Sequence, residues 1–120
     1  MVVNLDNLDE ETKKKVVNLQ NLSNTMEFLT NQKIQIEGSM RETEIAVEEL
    51  EKINPDVVVY KSIGGIIIKS EKSKLLEEKK SLKTTLEMRV KTIESKISRT
   101  KSQIEAMRKS IQAEFQNKSA

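Results

Sequence analysis

Cysteine, histidine and tryptophan are absent from this 120-residue chain, and proline occurs once. Without Cys and His there is no disulfide framework, no thiolate or imidazole metal site, and no Ser–His or Cys–His nucleophile pair. The aromatic side chains are Phe28, Tyr60 and Phe115, against a charged content of 33%. That is poor material for a compact globular core and good material for long solvated helices. No run approaches the roughly 20 apolar residues needed to span a bilayer. The opening MVVNLDNLDEE has no basic start followed by an apolar run, so it does not read as a secretory signal, and a cytoplasmic setting is expected. There is no P-loop, no GxGxxG after a strand and no calcium loop. Glu48, Glu49 and Glu51 fall on one solvated helix with no pocket to shift their pKa values. The expectation is a chain that is not an enzyme and that carries no metal and no cofactor.

What the chain has is charge, unevenly placed. Residues Met1 to Lys52 hold six Lys and Arg against eleven Asp and Glu, whereas Lys69 to Ala120 hold fourteen against seven. An acidic first half and a basic second half attract when laid side by side. The basic residues of the second half, among them Lys79, Lys80, Lys83, Arg89, Arg99 and Arg108, are dispersed around a helix among glutamates. No aromatic stacking platform accompanies them, so nucleic acid is not the expected partner, and neither is a membrane.

Apolar residues recur with alternating spacings of three and four. From Leu5 the series runs through Leu8, Thr12, Lys15, Leu19, Leu22, Met26, Leu29, Lys33, Ile36, Met40, Thr43, Val47 and Leu50, ten of the fourteen apolar. A second series runs Leu76, Lys79, Lys83, Leu86, Val90, Ile93, Ile97, Thr100, Ile104, Met107, Ile111 and Glu114, eight of the twelve apolar. Each is the a/d seam of a coiled coil. Near its start the phase of the second is ambiguous, because Leu75 and Leu82 fit a shifted register. Phe28 is expected to pack beside the first seam.

Between the helices the chain changes character. Asn54-Pro55-Asp56 ends the first helix, since proline cannot continue it. Val57 to Ser62 reads as a strand, Ile63-Gly64-Gly65 as the turn, and Ile66 to Lys69 as the return strand. Ser70 or Ser73 is expected to cap the second helix. The expected boundaries are a helix over about 4–53, a hairpin over about 57–69 and a helix over about 71–117, forming a single domain over 1–120. The fold class is all-α dominated: a long antiparallel two-helix coiled coil joined by one β-hairpin. At 1.5 Å per residue each helix would reach roughly 65–70 Å. Val57, Val58, Val59, Ile63, Ile66, Ile67 and Ile68 cannot all be buried against one helix pair, and an isolated hairpin is marginal in water. Assembly through the hairpin satisfies both its faces and its edges, so those residues, with Tyr60 and Gly64, form the expected oligomerisation surface. Tyr60 itself is expected to cover the hairpin with its ring and to reach water with its hydroxyl.

Helix, VVVYKSIGGIIIK, helix resembles the beta-type subunits of the prefoldin family over nearly the whole chain. The matching pieces are Val59-Tyr60-Lys61, Gly64 and Ile66-Ile67-Ile68-Lys69, followed by a Glu/Lys-rich helix. The single hairpin points to the beta type, since alpha-type subunits carry two. Gly65 departs from the pattern, because relatives often have a larger residue there, and a looser turn is expected. The resemblance implies a hexamer of two alpha-type and four beta-type subunits, with hairpins joined into β-barrels. It also implies a chaperone that holds non-native polypeptides at its coiled-coil tips and passes them to a group II chaperonin without ATP.

The residues suit that role. At the end away from the hairpin the seam has no continuing partner. Val2, Val3, Leu5 and Leu8 on one helix, and Met107, Ile111 and Phe115 on the other, are expected to be partly exposed there. Exposed apolar groups on a charged support bind unfolded chains without sequence preference. The alternative is a structural or tethering coiled coil without client binding, which explains the helices but not the doubly apolar hairpin.

Overall fold

The computed structural model of the chain describes residues 9 to 118. Its elements are α1 (Glu10–Lys52), β1 (Val59–Ile63), β2 (Ile66–Ser70) and α2 (Lys72–Lys118), with β1 and β2 paired as an antiparallel hairpin. Two compact units are formed. The described part of one comprises residues 9–32 and 93–118; the other comprises residues 33–92 and carries the hairpin. In each, a stretch of α1 packs against an antiparallel stretch of α2.

The heptad reading holds along both helices. The buried apolar side chains are Leu29, Ile36, Leu50, Leu75, Leu86, Val90, Ile93 and Ile111. All but Leu75 lie on the two seams, and every other described seam position is at least half-buried. Full burial of such a side chain is worth about 1.5–3 kcal/mol. Polar members of the seam are accommodated individually. Thr43 and Thr100 are buried and donate their hydroxyls to the carbonyls of Ser39 and Lys96, at 2.8 Å each. That leaves their methyl groups for the seam. α1 runs through Gly38 without interruption.

Several boundaries differ from expectation. Asp9 caps α1: its Oδ1 accepts from the Thr12 N–H at 2.8 Å. The Asn54 carbonyl accepts from the Val57 N–H at 3.0 Å, closing a turn around Pro55. This turn holds Val57 and Val58 out of the strand, so β1 begins only at Val59. Ile63 belongs to β1 and pairs with Ile66, which leaves Gly64-Gly65 alone as the loop. Both glycines have positive φ, 53° and 85°, the geometry of a tight two-residue turn. The looser turn expected from Gly65 is therefore not found; glycine is what this backbone requires there. Neither Ser70 nor Ser73 caps α2. Ser70 completes β2, Glu71 precedes the helix, and its carbonyl accepts the first helical bond from the Leu75 N–H. Leu75 is buried while Leu82 is exposed, so the shifted register is followed at the first of these turns and not at the second. Phe28 is 65% exposed rather than packed beside the seam, because it falls on the outward side of α1.

Candidate functional site

The register of the hairpin sorts its side chains onto two faces. Val59, Lys61 and Ile63 share one face with Ile66, Ile68 and Ser70; Tyr60 and Ser62 share the other with Ile67 and Lys69. The first face leans on α2. Lys61 Nζ donates to Glu78 Oε2 at 2.6 Å, and Val59, Lys61 and Ser70 are half-buried. The Lys61 hydrogen bond holds the Glu78 carboxyl below its ordinary range against the opposing effect of desolvation; the charges of Lys61, Lys74 and Lys79 add to the lowering. The second face is more open: Ile67 is 72% exposed and Tyr60 63%. Even on the first face Ile63, Ile66 and Ile68 remain exposed, as do Val57 and Val58 before the strand.

The edges are open as well. Because Ile63 and Ile66 close a two-residue loop, they form a hydrogen-bonded pair, and the pairs alternate from there. The outward N–H and C=O groups then belong to Tyr60 and Ser62 on one edge and Ile67 and Lys69 on the other. An exposed edge flanked by isoleucines is a template for further strands.

The base of the hairpin is tied down by a residue the sequence did not single out. Lys72 Nζ donates to the Ile53 carbonyl at 2.6 Å, and lies 3.4 Å from that of Glu51. These are carbonyls left over at the end of α1, where a cation is favoured by the helix dipole. Lys80 and Glu51 make a further pair across the two helices, at 3.5 Å.

At the helix ends in the other unit, Lys15 Nζ meets Glu114 Oε1 at 3.1 Å. Both occupy seam positions, so the seam closes on a pair of opposite charges. Ile111 is buried, at 8% exposure, and not partly exposed as expected, because the seam continues past it to that pair. Met107 and Phe115 are half-buried. Val2, Val3, Leu5 and Leu8 lie outside the described residues. Thr12 is sealed in at 1% exposure, and among the described residues its hydroxyl has no hydrogen-bond partner. A groove of about 570 Å³ lies in this unit, with Leu22 and Met107 among its lining.

Among the described residues no cluster of carboxylates could hold a metal, and no helix is long and apolar enough to cross a membrane.

The family profile described as "Prefoldin subunit" matches residues 5–118. The chain belongs to the prefoldin family. It is 34% identical to a prefoldin subunit beta of Archaeoglobus fulgidus over 72% of this chain and 75% of that protein. Against prefoldin subunit beta of Methanothrix thermoacetophila the identity is 36%, over 79% of each chain. The crystal structure of the prefoldin beta subunit from Thermococcus strain KS-1 superposes with a TM-score of 0.81 at 25% identity, covering 89% of this chain and 94% of that one. These relatives are beta subunits, and the single hairpin among the described residues agrees with the beta class. It is a prefoldin chaperone subunit, of a family that assembles from several subunits.

Proposed function

We propose that this subunit is one arm of a holding chaperone. The hairpin is its joint, the ends of its helices grip non-native polypeptides, and the cargo passes to a group II chaperonin without ATP. The observation that carries this reading is the hairpin surface, with exposed isoleucines on both faces and two open edges. A surface of that kind is covered in a working protein, and strand addition from related hairpins covers faces and edges together. A closed barrel of hairpins within a cytoplasmic hexamer of two alpha-type and four beta-type subunits follows from the family resemblance.

Several arms are needed because one is weak. A partly buried apolar contact contributes roughly 1–2 kcal/mol. A few such contacts per arm hold a client loosely, whereas several arms acting on one chain gain through effective concentration. In this reading Met107 and Phe115, half-buried near the end of α2, contribute with Val2, Val3, Leu5 and Leu8, and Ile111 contributes only when the end frays.

Light scattering on the chain alone and mixed with an alpha-type subunit tests the joint. A single species near six chains in the mixture is expected; a monomer or plain dimer in both samples would move the tethering reading ahead. Deleting residues 1–10 and 110–120 tests the tips. The truncated arms should still assemble but should no longer suppress client aggregation, and retained suppression would sink the tip model.

A further inference from the structure

Ile34, Ile45 and Met88 are exposed apolar side chains of the hairpin unit that belong to neither seam nor hairpin. On α1, Ile34 and Ile45 are three turns apart, and Gly38 follows Ile34 by one turn, so all three share the side turned away from the seam. Glycine is among the least favourable residues in a helix interior. Nothing among the described residues requires this one: its φ is not positive, and a Cβ there would meet no atom within 4 Å. The outer side of α1 therefore has a notch between two isoleucines. A groove of about 290 Å³, lined by Ile34, Glu37, Met40, Arg41 and Glu44, adjoins it. On the outer side of α2, Met88 is a flexible knob. Around it Thr84, Thr85 and Thr92 donate their hydroxyls to the carbonyls of Lys80, Ser81 and Met88 of the same helix, at 3.2, 3.2 and 3.1 Å. Their methyl groups remain for other contacts. The Glu51–Lys80 pair fixes which levels of the two helices stand abreast. Counted from that pair along both helices, Met88 is level with the stretch between Gly38 and Ile45.

We infer that a second copy of this chain docks laterally against this unit, with Met88 of one arm entering the Gly38 notch of the next. Charge selects that occupant. Residues 33–52 hold three Lys and Arg against six Glu, and residues 72–92 hold seven against three. The outer side of α1 in one copy therefore attracts the outer side of α2 in another. Level agrees with charge. Copies that stand side by side with their hairpins at one height bring knob and notch together without sliding. Spacing agrees as well. Paired strands lie about 4.8 Å apart, so hairpins added edge to edge stand about 10 Å apart, close to the 8–10 Å between packed helices. Gly38 then has a reason, because only a residue without a side chain lets another helix approach the backbone so closely. The contact is heterologous, α1 of one copy on α2 of the next, so it can recur from arm to arm around a ring. The inference rests on the proposed hairpin joint and adds a second interface beneath it.

The chain has no cysteine, so disulfide trapping in the complete assembly with its alpha-type partner tests the contact. One chain carries both Arg41→Cys and Thr85→Cys, beside the notch and beside the knob. Within a chain these positions lie on opposite outer sides of the helix pair, too far apart to join, so any bond between them links two copies. The control carries Glu27→Cys and Ser102→Cys, both exposed and farther from the hairpin along the two helices. Oxidation is followed on non-reducing gels and mass by light scattering. The Arg41→Cys, Thr85→Cys chain should cross-link at least about tenfold faster than the control, through a raised effective concentration. Adding Gly38→Gln fills the notch with a good helix former, touches nothing in its own chain, and should remove that advantage while mass and helical content stay the same. Adding Ser39→Gln, one residue on, should leave the advantage in place. Equal rates in the two pairs, an advantage that survives Gly38→Gln, or an equal loss with Ser39→Gln would each overturn the inference. If any of these occurs while the mass stays near six chains, the hairpin joint stands and only the lateral contact fails. If the parent mixture does not assemble, the joint fails and the lateral contact with it.

Discussion

Residues 16–36 of α1 carry two charged side chains, Glu27 and Lys33, whereas residues 37–52 carry eight. Both stretches present the same heptad seam, so the difference is not about holding two helices together. Beside the hairpin, charge is used to fix positions. Glu51 meets Lys80, Lys61 meets Glu78, and Lys72 sits on the carbonyls that end α1. Toward the other end the seam is flanked by amides and small hydroxyl residues, and its apolar side stays within reach. A joint that must present a hairpin at one angle needs directional contacts. In the proposed holding role, a surface that accepts many different chains needs the opposite, weak and shape-tolerant contacts on a regular support.

That contrast can be broken at its strongest point first. Ile67→Glu places a charge on the fully exposed face of the hairpin and should abolish assembly, read as a fall in mass by light scattering. Helical content by circular dichroism should stay the same, because Ile67 touches neither seam. Loss of helix would show instead that the hairpin holds the coil together.

A smaller effect of opposite sign is expected at the other end. Among the described residues the buried Thr12 hydroxyl has no partner, a state that costs about 1–3 kcal/mol. Thr12→Val keeps the shape and removes that group, so it should raise stability by about 1 kcal/mol, measured by denaturant unfolding. A neutral or negative result would mean that the hydroxyl finds a partner in solution.

The smallest effect concerns the Lys61–Glu78 pair. Glu78 titrates below its ordinary range when folded. Its contribution is therefore fully present above the unfolded carboxylate pKa of about 4.3 and is lost as pH falls through the lower folded value. Both side chains are well exposed, so the effect on stability is slight and screened by salt. Glu78→Gln should differ from the parent at neutral pH and low salt. The difference should vanish in strong acid or at about 1 M salt, and a gap persisting under both conditions would rule out a charge-based role.

The long elements were legible because their signal repeats. Leu29, Ile36, Thr43 and Leu50 are each read as seam from spacing alone, and each is buried. Lys79 and Lys83, polar and easily dismissed, are half-buried on the same grounds. The hairpin was legible from the two glycines and the β-branched residues around them, although its first strand starts two residues late. The turn that Pro55 initiates uses the Val57 N–H before the ladder can. Single positions are less legible. An aromatic side chain suggests packing, yet Phe28 falls on the outward side of α1, and position on the helix outranks residue type. The nearby helix end suggests an open Ile111, yet the seam extends to Lys15 and Glu114 and closes over it.

Periodicity, proline, glycine and the run of isoleucines are local, and so the sequence by itself determined two long helices, the hairpin between them and the apolar surface that the hairpin exposes. Leu75 and Leu82 show where that stops. They are the same residue one heptad apart, and only packing decides that the first is buried and the second is not. The tertiary structure likewise decided which lysines act as anchors. Lys61, Lys72 and Lys15 find partners 17, 19 and 99 residues away. Among 21 basic residues nothing local marks those three, because an ion pair depends on where two side chains arrive after the helices have packed.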